Sequence, residues 1–207
     1  MKHNILRLIG IALALFIAGC DMSQNEKLPY LGRKEINGPD TIYHTIADFK
    51  FVDQDSSFVT KETFEDQVYV ADFFFTSCPT ICPIMKTQML RVYEQYKDND
   101  QVGILSHSID PKHDTVAVLR EFAESLGVES NKWRFVTGDK EEIYKIGQTS
   151  YMVSAVEDPS EPGGFIHSGA FILVDKNRRI RGIYDGTKED QVNRLMADLD
   201  ILLKEYE

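Results

Sequence analysis

From about residue 45 onward, short apolar runs alternate with amphipathic stretches. Phe49-Lys50-Phe51-Val52-Asp53 and Ser57-Phe58-Val59-Thr60 alternate apolar and polar positions, which predicts two short strands joined across Gln54-Asp55-Ser56. Residues 68–76 (VYVADFFFT) are apolar almost without a break, the pattern of a central strand buried on both faces. Met85, Met89, Val92, Tyr93 and Tyr96 then recur at helical spacing, and residues 102–109 read as the next buried strand. In residues 115–126, Leu119, Phe122, Ala123 and Leu126 share a helix face, with Asp114 as the expected N-cap and Gly127 as the stop. Residues 133–137 and 151–155 are expected strands around a short helix near 141–147. Residues 171–175 and 180–184 flank Lys176-Asn177-Arg178 as a hairpin. The last helix is expected to be capped by Thr187, with Asp190 three residues on, and to bury Val192, Leu195, Met196, Leu199, Leu202 and Leu203. Strands separated by helices, closed by a hairpin and a helix, describe an α/β fold: a mixed central sheet flanked by helices, with an N-terminal β extension.

The beginning of the chain breaks this pattern. Lys2 and Arg7 precede an apolar run from Leu8 to Ala18. A bilayer span needs about 20 residues, so the run is too short to cross but suits the core of a signal peptide. It ends in Ile17-Ala18-Gly19-Cys20, which resembles the lipobox of bacterial lipoproteins, where cleavage precedes a cysteine that becomes lipidated. Residues 1–19 are thus expected to be removed, 20–45 to form a lipidated tether and leading segment, and 46–207 to fold as one domain. The domain is expected to face the periplasm or extracytoplasmic side, held to the membrane by lipid on Cys20. From Cys20 to Leu28 the tether spans at most roughly 30 Å, a reach that suits a target just above the membrane.

Composition narrows the function. The 207 residues are 43% hydrophobic and 27% charged, which excludes disordered and collagen-like classes. The net charge is −10, with no basic block. Loss of Lys2 and Arg7 makes the mature chain more acidic still, a poor partner for nucleic acid. Three cysteines are too few for a disulfide scaffold. With Cys20 assigned to lipid, Cys78 and Cys82 remain, in a compartment where thiols tend to be oxidised.

Both sit in Thr76-Ser77-Cys78-Pro79-Thr80-Ile81-Cys82-Pro83, between an expected strand and an expected helix. Proline disfavours helix in the preceding residue and is welcome in the first turn. Cys82 should therefore mark the boundary, with Cys78 in the turn before it. The unpaired N–H groups and positive dipole end of the helix would then face both sulfurs and favour thiolate. Three intervening residues, where thioredoxin-type redox pairs have two, leave room for both sulfurs to hold one metal ion. Two thiolates are soft ligands that select Cu(I) or Zn(II). A histidine is the commonest third ligand. His44 is expected at the surface, His107 in a satisfied core or sheet-edge position, and His113 in a solvated turn. His167 lies in a Gly-rich loop, Glu161-Pro162-Gly163-Gly164-Phe165-Ile166-His167-Ser168-Gly169, leading into a strand. In a thioredoxin-like sheet that loop passes beside the cysteine turn, and here no proline immediately precedes the strand.

Residues 71–83 (ADFFFTSCPTICP), 108–115 (SIDPKHDT) and 165–168 (FIHS) together resemble the Sco/SenC family of copper proteins for cytochrome c oxidase assembly. The likeness runs roughly from residue 46 to 207. It implies a thioredoxin-like fold and a copper site made by Cys78, Cys82 and His167, taking Cu(I) or Cu(II). It also implies delivery of copper, or reduction of cysteines, for the binuclear copper site of cytochrome c oxidase subunit II, with a thiol reductant as a second partner. Asp110 and Asp114 match the family motif; capping and loop geometry explain them as well as partner binding does. Many relatives carry a transmembrane helix where this chain has its lipobox-like sequence. A thiol–disulfide oxidoreductase cycling Cys78 and Cys82 is the main rival to a copper chaperone. A thiol peroxidase would need a Thr or Ser and an Arg close to one low-pKa cysteine, and no such close set is visible; a copper or redox sensor would differ from the chaperone only in its partner.

Overall fold

The computed structural model describes residues 27–160 and 163–207. Cys20 and the lipobox-like stretch lie outside them, as do Glu161 and Pro162. The chain opens with an exposed hairpin, β1 (Lys34–Asn37) and β2 (Asp40–Tyr43), turned by Gly38 at φ 63°. The expected second hairpin follows as β3 (Lys50–Asp53) and β4 (Phe58–Thr60), then a 3-10 turn, Lys61–Phe64. The buried run forms β5 (Val68–Phe74), with every residue inaccessible, and leads through the cysteine turn into α1 (Cys82–Tyr96). β6 (Val102–Ser108), α2 (Val116–Leu126), β7 (Trp133–Thr137) and α3 (Lys140–Thr149) continue the alternation. A small hairpin, β8 (Ala155–Glu157) with β9 (Phe165–His167), precedes β10 (Ala170–Val174), β11 (Ile180–Asp185) and α4 (Glu189–Lys204).

Seven strands form one mixed sheet in the order β11-β10-β5-β6-β7-β3-β4. β5, β6 and β7 run parallel at its centre, and antiparallel strands extend it on both sides. This explains why the β5 and β6 patterns are continuous: parallel strands with helices on both faces have no solvent side. Asp72 and Phe74 face α1 and α2, where Phe74 stacks on Phe122 at 5.5 Å. Phe73 faces the other way, toward Gly147 of α3, Tyr151 and His107. Covering α1, α4 lies along it through Tyr96, whose hydroxyl donates to the Met196 carbonyl and Asp200.

Three local expectations change. Residues 151–155 do not form a strand: Tyr151 is buried, Met152 has φ 58°, and extended pairing begins only at Ala155. The N-cap of α2 is Thr115, whose hydroxyl accepts from the Val118 N–H, because the Asp114 carboxylate is engaged elsewhere. Thr187 likewise does not cap the last helix; its hydroxyl donates to Asp185 at 2.5 Å, and α4 begins two residues later.

Candidate metal centre

The cysteine turn is placed by the fully buried strand beneath it and by the helix that follows. Cys82 is the first residue of α1, with Pro83 in the first turn and no side-chain cap on Ile81. Cys78 donates its backbone N–H to the Phe75 carbonyl at 3.2 Å, turning the chain back toward the helix. Both cysteines are reduced, only 7% and 9% exposed, and their sulfurs are hydrogen-bonded to each other. The Thr80 hydroxyl stands 3.6 Å from the sulfur of Cys78.

Their environments differ, contrary to the expectation that both sulfurs are held as thiolates. Burial by itself would push the Cys78 thiol up, but the backbone N–H groups of Thr80 and Cys82, with both their side chains, hold it below its ordinary value. Cys82 is pushed strongly up, first by burial, and further by Cys78 and the carboxylate of Asp72. The two thiols are therefore unequal: Cys78 leans toward thiolate, while Cys82 is held protonated.

Asp72 is the unexpected member of this region. Its signal was visible as a single carboxylate in a continuous apolar run, a type rarely buried without a partner. It receives a 2.5 Å hydrogen bond from Ser106, which in turn accepts the Trp133 indole N–H at 2.8 Å. Burial raises the Asp72 carboxyl to about 7. Asp72, Ser106 and Trp133 share with Cys82 a small cavity of about 20 Å³.

A second network grips the turn from the side. The wholly buried Asp114 accepts the Thr76 N–H at 3.1 Å and the Ser108 hydroxyl at 2.6 Å, and also bonds the Thr76 hydroxyl. His113 bonds the same carboxylate at 3.0 Å, which raises its pKa although the ring is half exposed. Asp110, on the same loop, accepts backbone N–H groups of His113 and Asp114 through its carbonyl. The Asp110 carboxylate also lies 3.4 Å from the His113 N–H, so both aspartates make contacts within this loop.

The Gly-rich segment lies against the turn as expected, though as a strand rather than a loop. Phe165 packs on Phe75 with ring centroids 4.9 Å apart. A Cβ at Gly163 would come within 2.9 Å of Phe75 and 3.0 Å of Pro79, and one at Gly169 within 3.6 Å of Ile81. The segment between these contacts contains His167, which ends β9 with its backbone paired to Ala155. The position of the His167 side chain lies outside the described part of the structure. Among the described residues no three His, Cys, Asp or Glu side chains are grouped to hold a metal.

The other histidines stand apart from the sulfurs. His44 is half-buried rather than superficial, its Nε2 2.6 Å from the Ser150 carbonyl. His107 is fully buried against Phe73, at 4.6 Å and nearly parallel, and burial lowers its pKa to about 3. Neither ring nitrogen has a well-formed hydrogen bond, so it is a core histidine but not a satisfied one.

A mixed thioredoxin-like sheet, two reduced cysteines opening a helix, and the three motifs around them meet in one known family: residues 38–204 match the family model described as SCO1/SenC. The chain belongs to the SCO1/SenC family. Solved Sco structures share its fold. A SCO1/SenC family lipoprotein from Bacillus anthracis is similar with a TM-score of 0.70 at 27% identity, covering 77% of this chain and 95% of that one. BsSco, described as a member of the Sco family of cytochrome c oxidase assembly proteins with a disulfide switch, gives 0.67 at 29% identity, over 77% and 93%. Copper-bound ScoI of Bradyrhizobium japonicum gives 0.60 at 25%, over 76% and 99%.

Proposed function

We propose that this Sco/SenC protein is a lipid-tethered copper chaperone of the cell envelope that serves the binuclear copper site of cytochrome c oxidase subunit II. One observation carries the reading: two reduced sulfurs touch each other at the opening of α1, with the His167 segment laid across the turn that bears them. Cys78 and Cys82 hold the copper, and His167 is the third ligand. Soft sulfur donors suit Cu(I), while an imidazole lets the same site accept Cu(II). The relative solved with copper bound supports the cargo, and the one described as a member of a family of cytochrome c oxidase assembly proteins supports the destination. The relative described as a lipoprotein supports lipid on Cys20.

Transfer needs an open side. A depression of about 450 Å³ lies beside the turn, bordered by Ile81, Gly169, Tyr184 and Asp185. An acceptor thiol approaching there can replace one protein ligand at a time, so that copper passes without release as a free ion. Cys78, whose thiol is held below its ordinary value, is the sulfur more readily presented as thiolate in this exchange. An oxidised pair cannot bind Cu(I), which makes a thiol reductant a necessary partner.

The experiment is Cu(I) competition and Cu(II) absorption on the reduced protein, with His167→Ala as the comparison. Weaker affinity and an altered spectrum are expected; unchanged values remove His167 from the site. The unequal thiols also suit a thiol–disulfide reductase, with Cys78 attacking and Cys82 resolving. That reading requires His167→Ala to support oxidase assembly in cells as fully as the native chain.

A further inference from the structure

The Arg181 side chain, on β11, is buried to 1% exposure and makes none of the contacts described at the cysteine turn. Its guanidinium donates to Asp175 at 3.2 Å and to both Glu205 oxygens at 2.7 and 2.8 Å. The same Nη2 that meets Glu205 also meets the Leu28 carbonyl at 2.6 Å, and Nε donates to the Pro29 carbonyl at 3.2 Å, both in the chain's approach to the domain. The Tyr30 ring lies over the same group at 4.4 Å. Leu28 returns its N–H to Glu205 at 2.8 Å, and Leu31 donates to the Ile180 carbonyl at 2.9 Å. Buried ion pairs contribute little net stability compared with apolar replacements; their best-attested use is to fix one geometry. Here the geometry fixed is where the incoming chain meets the sheet.

The register locates that point. Ile180 pairs with Val174, and Val174 with Tyr69, at the beginning of β5. The cysteine turn leaves the opposite end of β5. From Tyr69 to Phe75 the strand rises about 20 Å. The clasp and the cysteine pair thus occupy opposite poles of the domain.

We propose that the Arg181 clasp is an orienting device: it anchors the tether at the pole opposite Cys78 and Cys82, so the membrane-held protein presents its sulfurs away from the bilayer, to a partner whose copper site projects well above it. This rests on the lipid reading of Cys20. Eight residues from Cys20 to Leu28 reach at most about 29 Å. Turning the cysteine pole downward would require most of that length to run back along the flank of the domain. The acceptor therefore sits higher than tether length alone suggests, by the height of the sheet.

The test uses the mature chain, residues 20–207, with Cys78→Ser and Cys82→Ser, coupled through Cys20 to a maleimide lipid in nanodiscs carrying a gadolinium-chelate lipid. Amide relaxation should be enhanced several-fold more at Gln101, Asn177 and Glu205 than at Thr80, Ile81 and Asp114. Equal enhancement, or the reverse order, overturns the proposal. Arg181→Met should shrink the contrast in a chain that still melts cooperatively; Glu205→Gln, at a partly exposed partner, serves if Arg181→Met does not fold. Contrast undiminished in a folded clasp variant refutes the role of the clasp. Whether Cys20 is acylated in cells is read separately, by mass spectrometry of the membrane fraction, so failure of the lipid reading and failure of the orientation are distinguishable.

Discussion

The backbone N–H of Thr76 donates to the Asp114 carboxylate at 3.1 Å, tying the start of the cysteine turn to the loop after β6. The same carboxylate takes the hydroxyl of Ser108 from the end of β6. One buried side chain therefore sets the distance between the turn and the strand beside it.

Asp114→Ala should destabilise the fold by about 2–4 kcal/mol, because it leaves a backbone donor and a buried hydroxyl unpaired. Asp114→Asn, which keeps the shape, should cost less. Urea denaturation measures both; a loss below about 1 kcal/mol for the alanine variant would show that the network does not hold the turn.

The two thiols should separate kinetically. Cys78, held below its ordinary value, should be alkylated faster than Cys82 near neutral pH, and its rate should level off at lower pH than for a free thiol near 8.5. Mass spectrometry of the singly modified reduced protein assigns the site. Modification of Cys82 first contradicts the asymmetry.

Asp72 should make stability fall with rising pH. Below about pH 4 its carboxyl is protonated in both folded and unfolded chains. Between there and about 7 the unfolded chain has lost the proton while the folded one keeps it. Stability attributable to this group thus declines across that window, by up to about 4 kcal/mol. His107 acts oppositely: buried as the neutral ring with a pKa lowered to about 3, it favours the folded state above its unfolded value and loses that contribution as pH falls toward 3. Asp72→Asn should therefore gain on the native protein as pH is raised from 4 to 8 in denaturation experiments. Parallel profiles would mean that Asp72 titrates normally.

Gly163→Ala should weaken copper binding without removing a ligand. Gly163 has φ 90°, and a methyl group there would press on both Phe75 and Pro79. The Gly-rich segment must then move off the cysteine turn. A reduced Cu(I) affinity with both thiols still titratable is expected; native affinity would show that the segment's seating on the turn is immaterial to the site.

Much of the fold was legible because its elements obey local periodicities. β5 and β6 announce themselves as continuous apolar runs, and α1 and α4 as 3.6-residue stripes. The cysteine turn was legible for a similar reason, since Pro83 and the strand before it constrain the chain within a few residues. Failures fell where a side chain had a distant competitor. Asp114 and Thr187 both look like N-caps until Thr76, Ser108 and Asp185 take them up. Tyr151 is drawn into the core beside Tyr69, 82 residues away, and the expected strand there gives way to an irregular stretch.

Chain order and residue type alone determined a pair of cysteines framed by prolines at a strand-to-helix boundary, in an α/β domain preceded by a lipobox-like sequence. Neighbours along the chain suffice for that, because backbone preferences and the helix terminus act over one or two turns. Tertiary structure decided what distant segments impose. It made the two thiols unequal, by setting Cys82 over Asp72 and giving Cys78 the backbone N–H groups of the turn. It also brought the approach to the domain onto Arg181, at the pole away from the sulfurs. Burial and long-range pairing cause both effects, and neither is written into any short stretch of residues.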